Sequence, residues 1–272
     1  MSFKIDPIEL GVDYDFIRGF EYKALEDKLF DQLKTQHTKP TQEGWEAGYS
    51  DLLKEDRFQP KYLTDNNKKI YRWSRNFIEC EDTQLEKKYL KKLLENIFYP
   101  EDNCLLDIIA DASQIVEFGA GTGHNLINIS KTWVGKSYLG FDFCDSAVEI
   151  MKKAGLTAFN FDMYDPNYFW NLNDSVVLTV GAMEQLGGNY NKFLDYLMAS
   201  QAKLFIHIEP IIELYDSGDK FDQTAIYYHQ KRNYLGYFLT SLAGKGANIL
   251  HQERTTFGNI YNEGYSIIIW QK

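Results

Sequence analysis

Apolar positions in the second half of the chain fall in short unbroken runs, each closed by an acidic, glycine or other polar residue. Ile115, Val116 and Phe118 lead into a glycine turn, and Tyr138, Leu139 and Phe141 lead into Asp142. Ala158, Phe159 and Phe161 precede Asp162, and Val176, Val177, Leu178 and Val180 precede Gly181. Leu204, Phe205, Ile206 and Ile208 close on Glu209. Runs of this length, with helical spacing between them, predict strands buried on both faces. Between two of these runs, Asp145 or Ser146 offers an N-cap ahead of Ala147, Val148, Ile150 and Met151 at helical spacing. One long helix is expected over 221–243, with Tyr227, Tyr228, Tyr234, Tyr237, Phe238 and Leu242 inward, then strands at about 247–256 and 263–271. Strands alternating with helices predict an α/β fold whose sheet is mostly parallel and covered on both faces.

The pattern changes near residue 111. Residues 1–111 carry charge runs and little strand signal. Helical periodicity covers 13–36, through Tyr14, Ile17, Phe20, Leu25 and Leu29, and again 84–98, through Leu85, Tyr89, Leu93, Leu94 and Ile97. A short helix over 105–111 leads into the first strand of the second part. The expected organisation is an N-terminal helical extension, 1–111, and a ligand-binding domain, 112–272. Two aromatic clusters lie in the extension, one with Trp45 and Tyr49, the other with Tyr71 and Trp73.

Charge narrows the partners. The formal net charge of −10 repels phosphate backbones, so nucleic acid is not expected as a partner. The 3 cysteines show neither metal-ligand spacing nor an even disulfide framework, and no acidic cluster has metal-ligand spacing, so no metal is expected. No apolar run is long enough to span a membrane, and the first residues lack an apolar signal core. The expected setting is a reducing bacterial cytoplasm, without membrane contact.

The chemistry begins at Glu117, which stands before Gly119, Gly121 and Gly123. An acid ahead of a glycine turn suits a ligand with a positively charged amino group. Dinucleotide sites space their glycines G-x-G-x-x-G, and here the third comes one residue early. This run resembles motif I of the class I S-adenosylmethionine (SAM) dependent methyltransferases. The later strand ends match that family in order, over roughly residues 112–272. The resemblance implies a seven-stranded Rossmann-like sheet ending in an antiparallel pair, SAM as cofactor and S-adenosylhomocysteine (SAH) as product. It implies that Asp142, with Phe143 beside it, holds the ribose. It further implies that Asp162 takes the adenine amino group, that Met163 packs on the ring, and that Gly181 faces the sulfonium and acceptor. In that family an N-terminal helical extension often forms a lid.

The acceptor side is more open. Glu184 and Gln185 follow the fourth strand and could line an acceptor pocket, although the family often has a histidine about where Gln185 stands. A general base helps deprotonate a hydroxyl or amine acceptor, and histidine suits that work at neutral pH. The candidates are His229, amid Tyr228, Arg232 and other aromatic and polar residues, and His207, beside Glu209. Arg232 could receive an anionic group. The segments around 206–216 and 228–235 are similar to a group of bacterial methyltransferases, some of them associated with surface-polysaccharide decoration. That similarity implies a sugar, or a phosphoryl or phosphoramidate precursor in capsule biosynthesis, as the small-molecule acceptor. The expected activity is methyl transfer to oxygen ahead of nitrogen. A SAM- or SAH-binding subunit without catalysis is the second reading.

Overall fold

The computed structural model describes residues 3–11, 41–56, 69–73, 76–80, 84–100, 103–166, 169–255, 257–259 and 264–272. The helix expected over 13–36 lies outside them. The elements begin with helix α1 (Gln42–Lys54), strands β1 (Lys69–Trp73) and β2 (Asn76–Cys80), and helices α2 (Leu85–Phe98) and α3 (Asn103–Asp111). Then come β3 (Gln114–Phe118), α4 (His124–Ser130), β4 (Ser137–Asp142), α5 (Asp145–Lys153), β5 (Thr157–Asn160) and β6 (Ser175–Val180). The chain continues through α6 (Asn191–Ala199), β7 (Leu204–Glu209), α7 (Lys220–Arg232), α8 (Phe238–Gly244), β8 (Asn248–Arg254), β9 (Phe257–Asn259) and β10 (Ser266–Gln271).

Seven strands form one sheet in the order β5-β4-β3-β6-β7-β10-β8. The strands β3 to β7 pair in parallel, and β10 lies antiparallel between β7 and β8. The chain moves outward from β3 to β5 and then returns to the other side of β3. That reversal opens a crevice at the carboxyl ends of β3 and β6, where such sheets bind ligands.

Both sheet faces are covered because the strand side chains alternate. On one face Ile115, Val176, Leu178, Ile206 and Ile267 pack with Leu85, Leu93, Leu94 and Ile97 of α2. On the other, Val116, Phe118, Val177, Phe205 and Trp270 pack with Phe193, Leu197, Phe238 and Leu242. The first cluster takes residues from both sides of position 111, so α2 is a layer of this core. Among the described residues, no helix is long and apolar enough to cross a membrane.

Two local expectations give way. Strands do occur before residue 111: β1 and β2 form a hairpin, and β9 pairs with β1 to make a 3-stranded sheet. Its strands are short and broken by Arg72 and Glu79, so the strand signal is weak. Their partner Phe257 comes from far along the chain and stacks on Tyr71 at 5.5 Å and on Tyr89 at 4.1 Å. The single helix expected over 221–243 is two. The break lies at Asn233, whose left-handed conformation (φ 50, ψ 51) ends α7, a conformation that asparagine tolerates.

Candidate functional site

The glycine turn after β3 has its shape because three residues adopt positive φ: 69 at Gly119, 53 at Gly121 and 74 at Gly123. Conformation requires glycine at all three positions, and at Gly119 space does as well, since Ala182 Cβ cannot swing away. An added Cβ would lie 2.3 Å from Ala182 Cβ at Gly119, 2.7 Å from Tyr49 Oη at Gly121, and 2.4 Å from Leu156 Cδ1 at Gly123.

Two carboxylates flank the turn. Asp142, at the end of β4, accepts the N–H of Gly121 on Oδ2 (2.8 Å) and that of Cys144 on Oδ1 (3.0 Å). Burial raises its pKa, and those two N–H groups pull it partly back. Glu117 accepts Asn125 Nδ2 on Oε1 (2.7 Å). Its other oxygen, Oε2, is buried with no hydrogen-bond partner. Burial, reinforced by Asp142 and Glu209 nearby, pushes the Glu117 carboxyl up to about 8 against the single opposing bond from Asn125.

A cavity of about 390 Å³ opens beside these groups at the strand ends. From the residues expected at a cofactor site it is lined by Gly119, Asp142, Phe143, Asp162, Met163 and Gly181, and from the acceptor set by Gln185. Glu117, inside β3, and Gly121 and Gly123, in the turn, are not part of that lining. The outer wall is the start of α1, with Thr41, Gln42, Trp45 and Tyr49. The α1 helix begins where the Thr41 hydroxyl accepts the N–H of Gly44 (3.1 Å). Tyr164 crosses the mouth: its N–H donates to Asp162 (2.8 Å) and its hydroxyl donates to the Gln185 carbonyl (2.6 Å).

His207 and Glu209 do not meet the expectation of an acceptor-site base. His207 is fully buried, bonds Thr179 Oγ1 through Nδ1 at 2.8 Å, and packs on the edge of Phe238 at 5.2 Å. Burial holds its pKa down at about 3, so it stays neutral. Glu209 spends both oxygens on backbone: Oε1 accepts Ala182 and Met183 N–H (3.1 Å each), and Oε2 accepts Glu184 N–H (3.2 Å). It thereby fixes the loop after β6 that forms the cavity wall. Glu209→Ala leaves those donors without an acceptor and is expected to cost roughly 3 kcal/mol in denaturant unfolding. Glu209→Gln, which keeps one carbonyl oxygen, should recover part of that loss.

Glu184, Tyr228, His229 and Arg232 also stand outside the lining, yet the structure gathers them behind Gln185. Gln185 Nε2 donates to Glu184 Oε1 (2.8 Å), and Arg232 Nη1 donates to the Tyr234 hydroxyl (2.7 Å). Tyr234 also bonds Gln185, and its pKa is raised by burial and by Glu184. The Arg232 guanidinium sits 5.0 Å from the Tyr228 ring and 5.5 Å from the Tyr234 ring. His229 is buried, its ring 5.2 Å from that of Tyr234. Sequence reasoning missed Tyr164 as a site residue and took Tyr234 only as an inward residue of the long helix. Tyr164 belongs to no spaced motif, and only the fold brings both tyrosines to Gln185.

A second, more open depression of about 670 Å³ lies at the amino ends of the strands, lined by residues such as Asp107, Asp111 and Lys203. Lys203 there is paired with Asp111 (2.7 Å) and Asp174. It is remote from the strand ends that carry the glycine turn.

No protein-family model and no curated protein sequence matches the chain. Solved structures do. The cyclase SpnF aligns with a TM-score of 0.52 and 10% identity, over 70% of this chain and 83% of that one. The O-methyltransferase of a trans-AT polyketide synthase from Brevibacillus brevis, in complex with SAH, aligns at 0.51 and 12%, over 70% and 74%. Magnesium protoporphyrin IX methyltransferase from Synechocystis PCC 6803, with bound SAH, aligns at 0.50 and 8%, over 70% and 88%. The fold is the Rossmann-like methyltransferase fold. At these identities the likeness speaks for architecture, and function rests on the site.

Proposed function

We propose that the protein is a SAM-dependent methyltransferase acting on a small polar acceptor, at oxygen ahead of nitrogen. The observation that carries this reading is the buried Glu117 Oε2, unpartnered behind a glycine turn that borders a cavity. An ammonium group is the natural complement of such an oxygen. The methyltransferase neighbours crystallised with SAH support the same ligand.

SAM supplies a methyl group on a positively charged sulfur, a good leaving group. Glu117 receives the amino group of the cofactor, and Asp142 receives the ribose hydroxyls. Asp162 takes the adenine amino group while Phe143 and Met163 pack on the base. Gly181 and Ala182 keep the end of β6 small beside the reacting atoms. Trp45 and Tyr49 on α1 act as a lid that excludes water. Alignment of the acceptor then supplies most of the rate, an effect that can be worth roughly 7–11 kcal/mol.

The proposed acceptor subsite is Gln185 with Glu184, Tyr228, Arg232 and Tyr234, and His229 behind them. Arg232, packed against two tyrosine rings, gives that subsite a cation for a phosphoryl or other anionic group. A surface-polysaccharide precursor as acceptor rests on the similarity of the segments around 206–216 and 228–235. A second reading is ligand binding without methyl transfer: the cyclase SpnF carries this fold, so the fold alone does not dictate methyl transfer.

Equilibrium binding and label transfer test the proposal. The protein should bind SAH and SAM more tightly than NAD, and should move a trideuteromethyl group from labelled SAM to a low-mass compound in a bacterial extract. Tighter binding of NAD would overturn the reading. Binding of SAM without label in any fraction would favour ligand binding without methyl transfer.

A further inference from the structure

On α1, Glu46 reaches away from the cavity toward another helix. Its two carboxylate oxygens accept the N–H of Ser146 at 3.2 and 3.3 Å, and the Ser146 hydroxyl donates to it as well. Ser146 lies in the first turn of α5, where backbone N–H groups have no partner within the helix. The N-cap of α5 is Cys144, which makes no capping bond with its side chain. A carboxylate from 100 residues earlier in the chain therefore caps this helix, a placement that the helix dipole also favours.

The same α1 helix presents Gln42, Trp45 and Tyr49 to the cavity, at helical spacing. Trp45 and Tyr49 stack on one another at 6.1 Å, and the Tyr49 hydroxyl closes on Gly121. One face of α1 is thus the outer wall, and the adjacent residue anchors that wall to the helix following the Asp142 strand. α5 starts just after Phe143, so the anchor stands beside the cavity's own lining.

We infer that Glu46 is a positioning residue: by capping α5 it holds α1 across the cavity and sets how long a nucleoside ligand stays bound. The inference rests on reading the cavity as the SAM site. Loss of a helix cap destabilises the arrangement it holds. If that cost falls on the closed arrangement, the dissociation rate of SAH rises about tenfold.

The test is the off-rate of labelled SAH, chased with excess unlabelled SAH, in wild type, Glu46→Ala, Glu46→Gln, Ser146→Ala and the double alanine variant. Glu46→Ala should dissociate about tenfold faster, and Glu46→Gln, which keeps one acceptor oxygen, should fall between it and wild type. The double variant should be no faster than Glu46→Ala, because both substitutions remove one interaction. Hydrogen exchange on the ligand-free protein should quicken in α1 of Glu46→Ala and stay unchanged in β3 and β6. An off-rate within twofold of wild type, or additive effects of the two alanines, would overturn the role. If Glu46→Ala fails to fold, Glu46→Gln and Ser146→Ala carry the comparison. Absence of SAH binding by wild type would instead sink the reading of the site, while exchange in α1 would still report whether Glu46 holds the helix.

Discussion

Asp142→Ala is expected to weaken SAH binding by about 100-fold in isothermal titration, a loss near 2.7 kcal/mol. Two effects add. The ribose loses a charged acceptor, and hydrogen bonds to charged groups contribute roughly 1.5–3 kcal/mol. The ligand-free turn also loses its brace, because the N–H groups of Gly121 and Cys144 both end on this carboxylate. Thermal stability should fall too, by roughly 1–3 kcal/mol, with the circular dichroism spectrum unchanged. Asp142→Asn keeps one acceptor oxygen and should lie between. Unchanged SAH affinity in Asp142→Ala would remove this residue from the cofactor site.

The ligand-free protein should lose stability as pH rises from about 6.5 to 8. Glu117 is held up to about 8, and Glu209 to about 7, both chiefly by burial. In the unfolded chain both carboxyls are already ionised in this window. The native state therefore binds more protons than the unfolded state, and its stability drops with rising pH until Glu117 ionises. His207 acts in the other direction below about 6.5. It stays neutral when folded and takes a proton when unfolded, so its own contribution falls on acidification and offsets one of the two glutamate contributions there. Above pH 6.5 the Glu117 contribution alone amounts to roughly 2 kcal/mol, or about 5 °C in melting temperature. Glu117→Gln should flatten the slope and melt above wild type at pH 8. A slope identical in Glu117→Gln and wild type would show that Glu117 is ionised in the native protein.

The glycine turn and the acids at strand ends are legible because the cue is local. A strand ending in Glu117 or Asp142 carries its chemistry within a few residues, and the sheet order brings those ends together. The expected strands and their parallel sheet follow from the same cue. The outer wall of the cavity is not legible in this way. Glu46 meets Ser146, Tyr49 meets Gly121, and Tyr164 meets Gln185 across the fold, and no spacing announces those meetings. His207 misleads for a related reason. Every residue of β7 is buried, so the pattern does not distinguish a side chain in the core from one at the cavity. The helix break at Asn233 is hidden by apolar residues that keep helical spacing on both sides of it.

The place of β10 has a consequence for the order in which the molecule is made. β10 is inserted between β7 and β8, although β8 precedes it in the chain. The strands bearing Glu117 and Asp142, and β6 leading into Gly181, emerge from the ribosome before β10 and can lay down the frame of the site. Until residues 266–271 follow, the β7 edge has an open row of N–H and C=O groups and β8 has no neighbour in the main sheet. A nascent or truncated chain that lacks this last strand would present β7 as a template for pairing with other chains.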